Sequence, residues 1–216
     1  VTPLPTHTRV TNDTCAGLLG IGVDIDLHDP DRKPSGLRPD AAQALLDALP
    51  VAPTCIIHSG HGLQAGWLFR EPWRFDEADE HDEGALLCSG WIRMVEAAAK
   101  RIDPAATIDH TTDLSRLYRV AGTVNCKALH DPRYAGTDPV PCRLLSADGP
   151  RYNPGDLLDL PELIPHLTAA AAASTTAGPL PSVDVASAFP TERHELMLAE
   201  HEDYKATWEH TRRDLG

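Results

Sequence analysis

The strongest constraint on this chain is a strand that carries charge, Gly22-Val23-Asp24-Ile25-Asp26. Apolar and acidic residues alternate there, in a run that opens Leu18-Leu19-Gly20-Ile21. Alternation at period two predicts a strand. On a strand, Asp24 and Asp26 share one face while Val23 and Ile25 share the other. Two like charges held so close repel unless a cation sits between them. Carboxylate oxygens suit hard divalent cations such as Mg²⁺ or Mn²⁺. One reading is therefore a metal-holding Asp-x-Asp at the mouth of a sheet. The other is that one Asp faces solvent and its neighbour caps the turn at Leu27-His28-Asp29-Pro30.

The length of 216 residues allows one large α/β domain or two small lobes. Five cysteines (Cys15, Cys55, Cys88, Cys126 and Cys142) form no Cys-x-x-Cys pair. An odd, scattered set predicts reduced thiols and a cytoplasmic protein. No apolar run is long enough to span a membrane and no signal peptide is visible, so no membrane partner is expected. The net charge of −13 argues against strong nucleic-acid binding by the chain alone. Much of the acid is local, in the stretch 75–84.

The patterning predicts strands at 14–26, 54–58 and 63–69, the last two joined as a hairpin through Ser59-Gly60-His61-Gly62. It predicts helices over 40–49 and 76–102, the second with Leu86, Leu87, Trp91, Met94, Val95 and Ala98 on one face. Short strands are expected at 108–109 and 140–145, a turn of helix at 113–118, a loop at 122–125, and a turn with a short helix over 153–167. An Ala-rich stretch with Ser, Thr and Pro, residues 168–182, reads as a linker, with a helical segment in 183–216 whose Met197, Tyr204 and Trp208 share a face.

Two further stretches carry chemistry. Small residues in His58-Ser59-Gly60-His61-Gly62-Leu63-Gln64 let a ligand approach the backbone, and Ser59, His61 and Gln64 can donate to phosphate; a tight hairpin with no ligand explains the same residues. Beyond Asp109 and the neighbouring Asp113, the run 116–127 brings Arg116, Arg119 and Lys127 together in an acidic protein. Arginine forks and a lysine charge suit phosphate, while surface ion pairs explain each cation singly.

In order, these pieces are an Asp-x-Asp strand, a Ser-Gly-x-Gly-Leu hairpin, and an apolar-Asp pair leading into Arg-x-x-Arg-Val-x-Gly-Thr-x-Asn-x-Lys. The order resembles the archaeo-eukaryotic primase superfamily, and within it the primase-polymerase domains of phages, plasmids and actinobacterial mobile elements. The resemblance covers about residues 20–127. It implies a mixed α/β (α+β) primase-polymerase fold: an RRM-like catalytic sheet, a smaller α/β lobe and a helical C-terminal tail, with residues 1–167 as the catalytic domain. It implies a nucleotidyltransferase that makes primers on single-stranded DNA by a two-metal mechanism, with Asp24, Asp26 and Asp109 holding Mg²⁺ or Mn²⁺. Ser59, His61, Gln64, Arg116, Arg119 and Lys127 would bind the nucleoside triphosphate.

Two departures stand out. Gln64 occupies a position where the family most often has His, and only 23 residues precede Asp24, which implies a reduced N-terminal lobe or a trimmed chain. The acidic balance implies weak, salt-sensitive template binding, and so a linked or associated replicative helicase that holds the domain on DNA. A metal-dependent phosphodiesterase or nuclease using the same aspartates is the rival enzyme reading. A non-catalytic replication-initiator module is the rival binding reading. No Cys/His pairs at zinc-finger spacing are visible.

Overall fold

The structure is a computed structural model that describes residues 11–109, 113–129, 131–176 and 199. The chain divides into two compact units, Val1–Ser174 and Thr175–Gly216, and the described residues lie almost wholly in the first. That unit is a mixed α/β structure around a four-stranded antiparallel sheet. In chain order its main elements are β1 (Gly17–Asp26), α1 (Pro39–Asp47), β2 (Cys55–His58), β3 (Gly62–Arg74) and α2 (Ala78–Ile102). They are followed by β4 (Val124–Asn125), β5 (Val140–Pro141), β6 (Arg143–Ser146), α3 (Pro154–Leu158) and α4 (Ile164–Thr176).

The sheet order is β1-β3-β2-β6. The run β1-α1-β2-β3-α2 is a split β-α-β unit, in which β3 returns between the two strands that α1 connects. β6 then adds to the free edge of β2. A separate two-stranded ladder, β4 with β5, and two short 3₁₀ turns at Lys127–Leu129 and Pro132–Tyr134 make up the smaller region.

Register sorts the two faces of the sheet. Ile21, Val23 and Ile25 of β1 lie opposite Trp67, Ala65 and Leu63 of β3, and all six are buried. Against that face pack Leu45 and Leu46 of α1 and Leu87, Trp91 and Val95 of α2, all within one core. The Trp67 and Trp91 rings meet edge-on, 4.9 Å between centroids. The alternate residues of β1 (Gly20, Gly22, Asp24 and Asp26) are only partly buried and belong to the other face.

At the β1 bulge the two backbones come so close that a Cβ on Gly20 would lie 2.4 Å from the Trp67 carbonyl oxygen. Only glycine fits there.

Several expectations change. The first strand starts at Gly17, since Asn12–Thr14 form a 3₁₀ turn. β3 runs on to Arg74 because Trp73 and Arg74 pair back onto Leu18 and Gly17. Residues 108–109 form no strand. Ile108 is buried, and the segment is tied instead by the Thr107 amide to the Ser35 carbonyl, 3.1 Å. Residues 113–118 make one turn at Leu114–Ser115 rather than a helical segment.

The 122–125 loop contains β4. The 140–145 strand is two strands: Val140–Pro141 pairs with β4, Cys142 donates to the Thr123 carbonyl at 2.8 Å, and Arg143–Ser146 crosses to the edge of β2. Residues 168–176, expected as linker, continue α4. Consecutive alanines have the best helix propensity, and Ala170 is buried. Residues 1–10, the rest of the expected linker and the expected last helix lie outside the described residues, Ala199 excepted.

Trp91 is fully buried at the centre of this core. Trp91→Ala is expected to cost about 3–5 kcal/mol of stability. Urea unfolding of the full chain measures it, and a loss below about 1 kcal/mol would contradict the packing described.

Candidate functional site

The partly buried face of β1 and β3 is built on one cross-strand pair, Asp24 opposite Gln64. Gln64 is 5% exposed, so both ends of its amide need partners. Its Nε2 donates to Asp24 Oδ1 at 2.7 Å, and its Oε1 accepts from the Arg119 backbone N–H at 2.8 Å. The amide therefore orients one oxygen of Asp24 and anchors the chain segment that carries the arginines.

Arg116 takes the other oxygen. Its Nε donates to Asp24 Oδ2 at 3.0 Å and its Nη2 closes a second bond to the same atom. Nη2 also reaches Asp109 Oδ2 at 3.4 Å. Burial works against the charged guanidinium, but its bonds to Asp24 and the field of that carboxylate outweigh it, and the Arg116 pKa lies above its ordinary value. Tyr118 lies beside this group, with Arg116 Cζ 5.9 Å from its ring centroid. Gly22 makes room for it: a Cβ there would sit 2.6 Å from the Tyr118 hydroxyl oxygen. Burial, and then Asp24, push the Tyr118 phenol well above its usual range. Asp109, not Asp113, supplies the second carboxylate on Arg116, while Asp113 accepts the Arg116 N–H through its backbone carbonyl at 3.2 Å.

Asp26 has its own cation. Lys33 Nζ lies 2.5 Å from Asp26 Oδ2. Lys33 comes from the turn after β1, which Asp29 organises by accepting from the Asp31 and Arg32 amides, each at 3.0 Å. Among the described residues, no three His, Cys, Asp or Glu side chains stand close enough to hold a metal ion together. Asp24 and Asp109 nevertheless converge from separate segments on a single cationic nitrogen. Their donors are all oxygen, which fits a hard divalent ion at that point.

The hairpin lies beyond Asp26. Gly60 holds φ +98° at the first position of a two-residue turn, where glycine is favoured. The buried Ser59 spends its hydroxyl on the Gly62 carbonyl at 3.1 Å and its own carbonyl on Asn125 Nδ2 at 2.6 Å. Asn125 Oδ1 accepts in turn from Arg119 Nη2 at 3.2 Å. A chain of bonds thus runs Asp24–Gln64–Arg119–Asn125–Ser59 and ties the carboxylates to the hairpin.

Around His61 the charges turn positive. The His61 and Tyr134 rings are 4.6 Å apart, Lys127 Nζ lies 4.8 Å from the Tyr134 centroid, and Arg32 Cζ lies 5.4 Å from it. Among the described residues, neither Arg119 nor Lys127 forms an ion pair with a carboxylate.

The sequence-derived set is therefore brought into two adjoining clusters, one acidic (Asp24, Asp109, Arg116, with Asp26 beside it) and one cationic (Arg119 and Lys127, with the His61 ring beside them). Ser59 and Gln64 act as internal ties between them. Sequence reading did not single out Asn125, Lys33, Arg32 or Tyr134. Asn125 stood inside the quoted motif, and its 3% exposure gives it the role of a strut.

No protein-family model matches the chain, and no curated protein matches it. Among solved structures, the AEP domain (PP-N190) of the cyanophage S-2L primase-polymerase is similar, with a TM-score of 0.40 and 19% identity over 68% of this chain. The match spans 62% of that domain, less than two thirds of its length. A likeness of that size decides neither fold nor mechanism, which rest on the contacts above.

The cationic cluster has a measurable consequence. Burial first, then Lys127, Arg32 and Arg119, hold His61 below its ordinary pKa of 6.5. The folded protein then binds fewer protons at His61 than the unfolded chain does. The neutral ring contributes fully above pH 6.5, and stability is lost as pH falls through that value. A ¹H NMR titration of His61 is expected to give a midpoint below 6.5 that rises in Lys127→Met. A midpoint at or above 6.5 in the unaltered protein would overturn this account of the site.

Proposed function

We propose that this chain is a nucleotidyltransferase of the primase-polymerase kind, acting on nucleoside triphosphates over a single-stranded DNA template. One observation carries the reading: carboxylates gathered on a common cation stand beside a cluster of arginine, lysine and histidine that lacks carboxylate partners among the described residues. In a chain of net charge −13, cations left without acidic partners suit an anionic ligand. A phosphodiesterase needs the carboxylates but no such cluster for a triphosphate, so the cations favour nucleotidyl transfer.

Asp24 and Asp109 would hold a divalent metal, Mg²⁺ or Mn²⁺, with Asp26 joining them once Lys33 releases it. When bound, such an ion supplies charge neutralisation at the reacting phosphate. The protein's own contribution is positioning. Arg119 and Lys127 take phosphate oxygens, the arginine through its fork and the lysine as a point charge. Asn125 sets the Arg119 guanidinium and holds the hairpin backbone through Ser59. Gln64 keeps the Asp24 carboxylate in one orientation, so less reorganisation remains for the reaction itself. Template contacts on so acidic a chain are weak and salt-sensitive, which supports a linked or associated helicase as the partner that keeps the domain on DNA.

The test is nucleotide incorporation on unprimed single-stranded templates with Mn²⁺ or Mg²⁺. The unaltered chain is expected to make products. Asp24→Ala/Asp26→Ala is expected to lower the rate by roughly 100-fold or more, about 3 kcal/mol of transition-state stabilisation. Template cleavage without synthesis would replace this reading with the nuclease one. In Asn125→Ala, the loss of the strut is expected to raise the KM for nucleotide about tenfold while kcat falls less. An unchanged KM in that variant would remove Asn125 from the site.

A further inference from the structure

Arg116 was expected to touch nucleotide, yet the Nε–Nη2 edge of its guanidinium is engaged with protein carboxylates. It is 17% exposed, bonds Asp24 Oδ2 through both Nε and Nη2, and reaches Asp109 with the same Nη2. It lies where a metal ion would draw the two carboxylates together. A guanidinium and a divalent ion cannot occupy that point at once.

We infer that Arg116 is an exchangeable counter-ion. It neutralises Asp24 and Asp109 in the free protein, is displaced when a divalent cation arrives, and then turns its fork to the phosphates of the nucleotide. The inference rests on the proposed metal and nucleotide site and specifies how its two ligands communicate. Metal binding frees the arginine, and nucleotide binding keeps it away from the carboxylates, so each ligand strengthens the other by the same factor. No movement of the sheet is required. Asp24 remains oriented by Gln64 throughout, since that bond uses its other oxygen. Arg116 sits after the Leu114–Ser115 turn on a segment outside any helix or strand, which lets the side chain swing while the Arg119 amide stays tied to Gln64.

The experiment measures Mn²⁺ affinity of the full chain by electron paramagnetic resonance of free Mn²⁺, with no nucleotide present. Arg116→Gln is expected to bind Mn²⁺ about tenfold more tightly than the unaltered chain. Arg116→Lys keeps a charge but cannot fork to both carboxylates, and is expected to tighten binding by less. It also serves if the glutamine variant does not fold. Arg101→Gln removes a charge in the last turn of α2, outside the site, and is expected to leave Mn²⁺ affinity unchanged.

Binding of a fluorescent ATP analogue is the second readout. In EDTA, Arg116→Gln is expected to match the unaltered chain, because the arginine is held by Asp24. With Mn²⁺ it is expected to show about a tenfold smaller gain in affinity. Equal or weaker Mn²⁺ binding in Arg116→Gln would overturn the exchange and leave the proposed function standing. No Mn²⁺ binding by any variant would overturn both.

Discussion

The site depends on how β1 pays for its acids. Asp24 lies partly withdrawn from water on a strand whose opposite face is packed core. A carboxylate in that position needs a cation and hydrogen-bond donors to replace the water it has lost. The structure supplies these from distant parts of the chain: Gln64 from the neighbouring strand and Arg116 from 92 residues away. Asp26 is answered locally by Lys33, seven residues on. The segment 113–119 crosses the β1 face because both Arg116 and the Arg119 amide bind there.

The two faces of β1 and β3 divide the work. One face holds the apolar residues that α1 and α2 cover, and its rigidity comes from close packing around Trp67 and Trp91. The other carries glycines and polar residues in the same register, so a rigid core positions the carboxylates directly. Gly22 shows how closely the faces are matched to what lies on them, since the Tyr118 ring fills the space of a missing side chain. A one-residue slip of register would send Asp24 into the core, which explains why the whole strand is strongly specified.

Charge has two scales here. The chain as a whole is acidic, at −13, a balance that disfavours unaided binding of a long polyanion. At the hairpin, Lys127 and Arg119 make a local exception beside the Asp29-paired Arg32, and His61 records it by holding its proton less tightly. A small cationic site within an acidic surface favours a compact anion such as a triphosphate over a long polyanion. That arrangement supports the proposed reading, in which an associated protein holds the polymer.

From the sequence alone, the alternation of 21–26, the glycine turn at 60 and the apolar face of α2 were legible, because each is a local pattern read through strand, turn or helix period. So were the residue types of the site, since carboxylates and cations in an ordered string limit the chemistry. Short elements were less legible. Residues 108–109 looked like a strand, but they pair with none and the Thr107 amide is tied to the Ser35 carbonyl instead, and 140–145 looked continuous until its halves joined different sheets. Nothing local shows that Gln64 bridges Asp24 and the Arg119 amide, that Arg116 rests on Asp24 and Asp109, or that Lys33 belongs to Asp26. Those assignments depend on which side chains strand register and loop closure bring within 3 Å of one another, a property of the folded chain that only the tertiary structure decides.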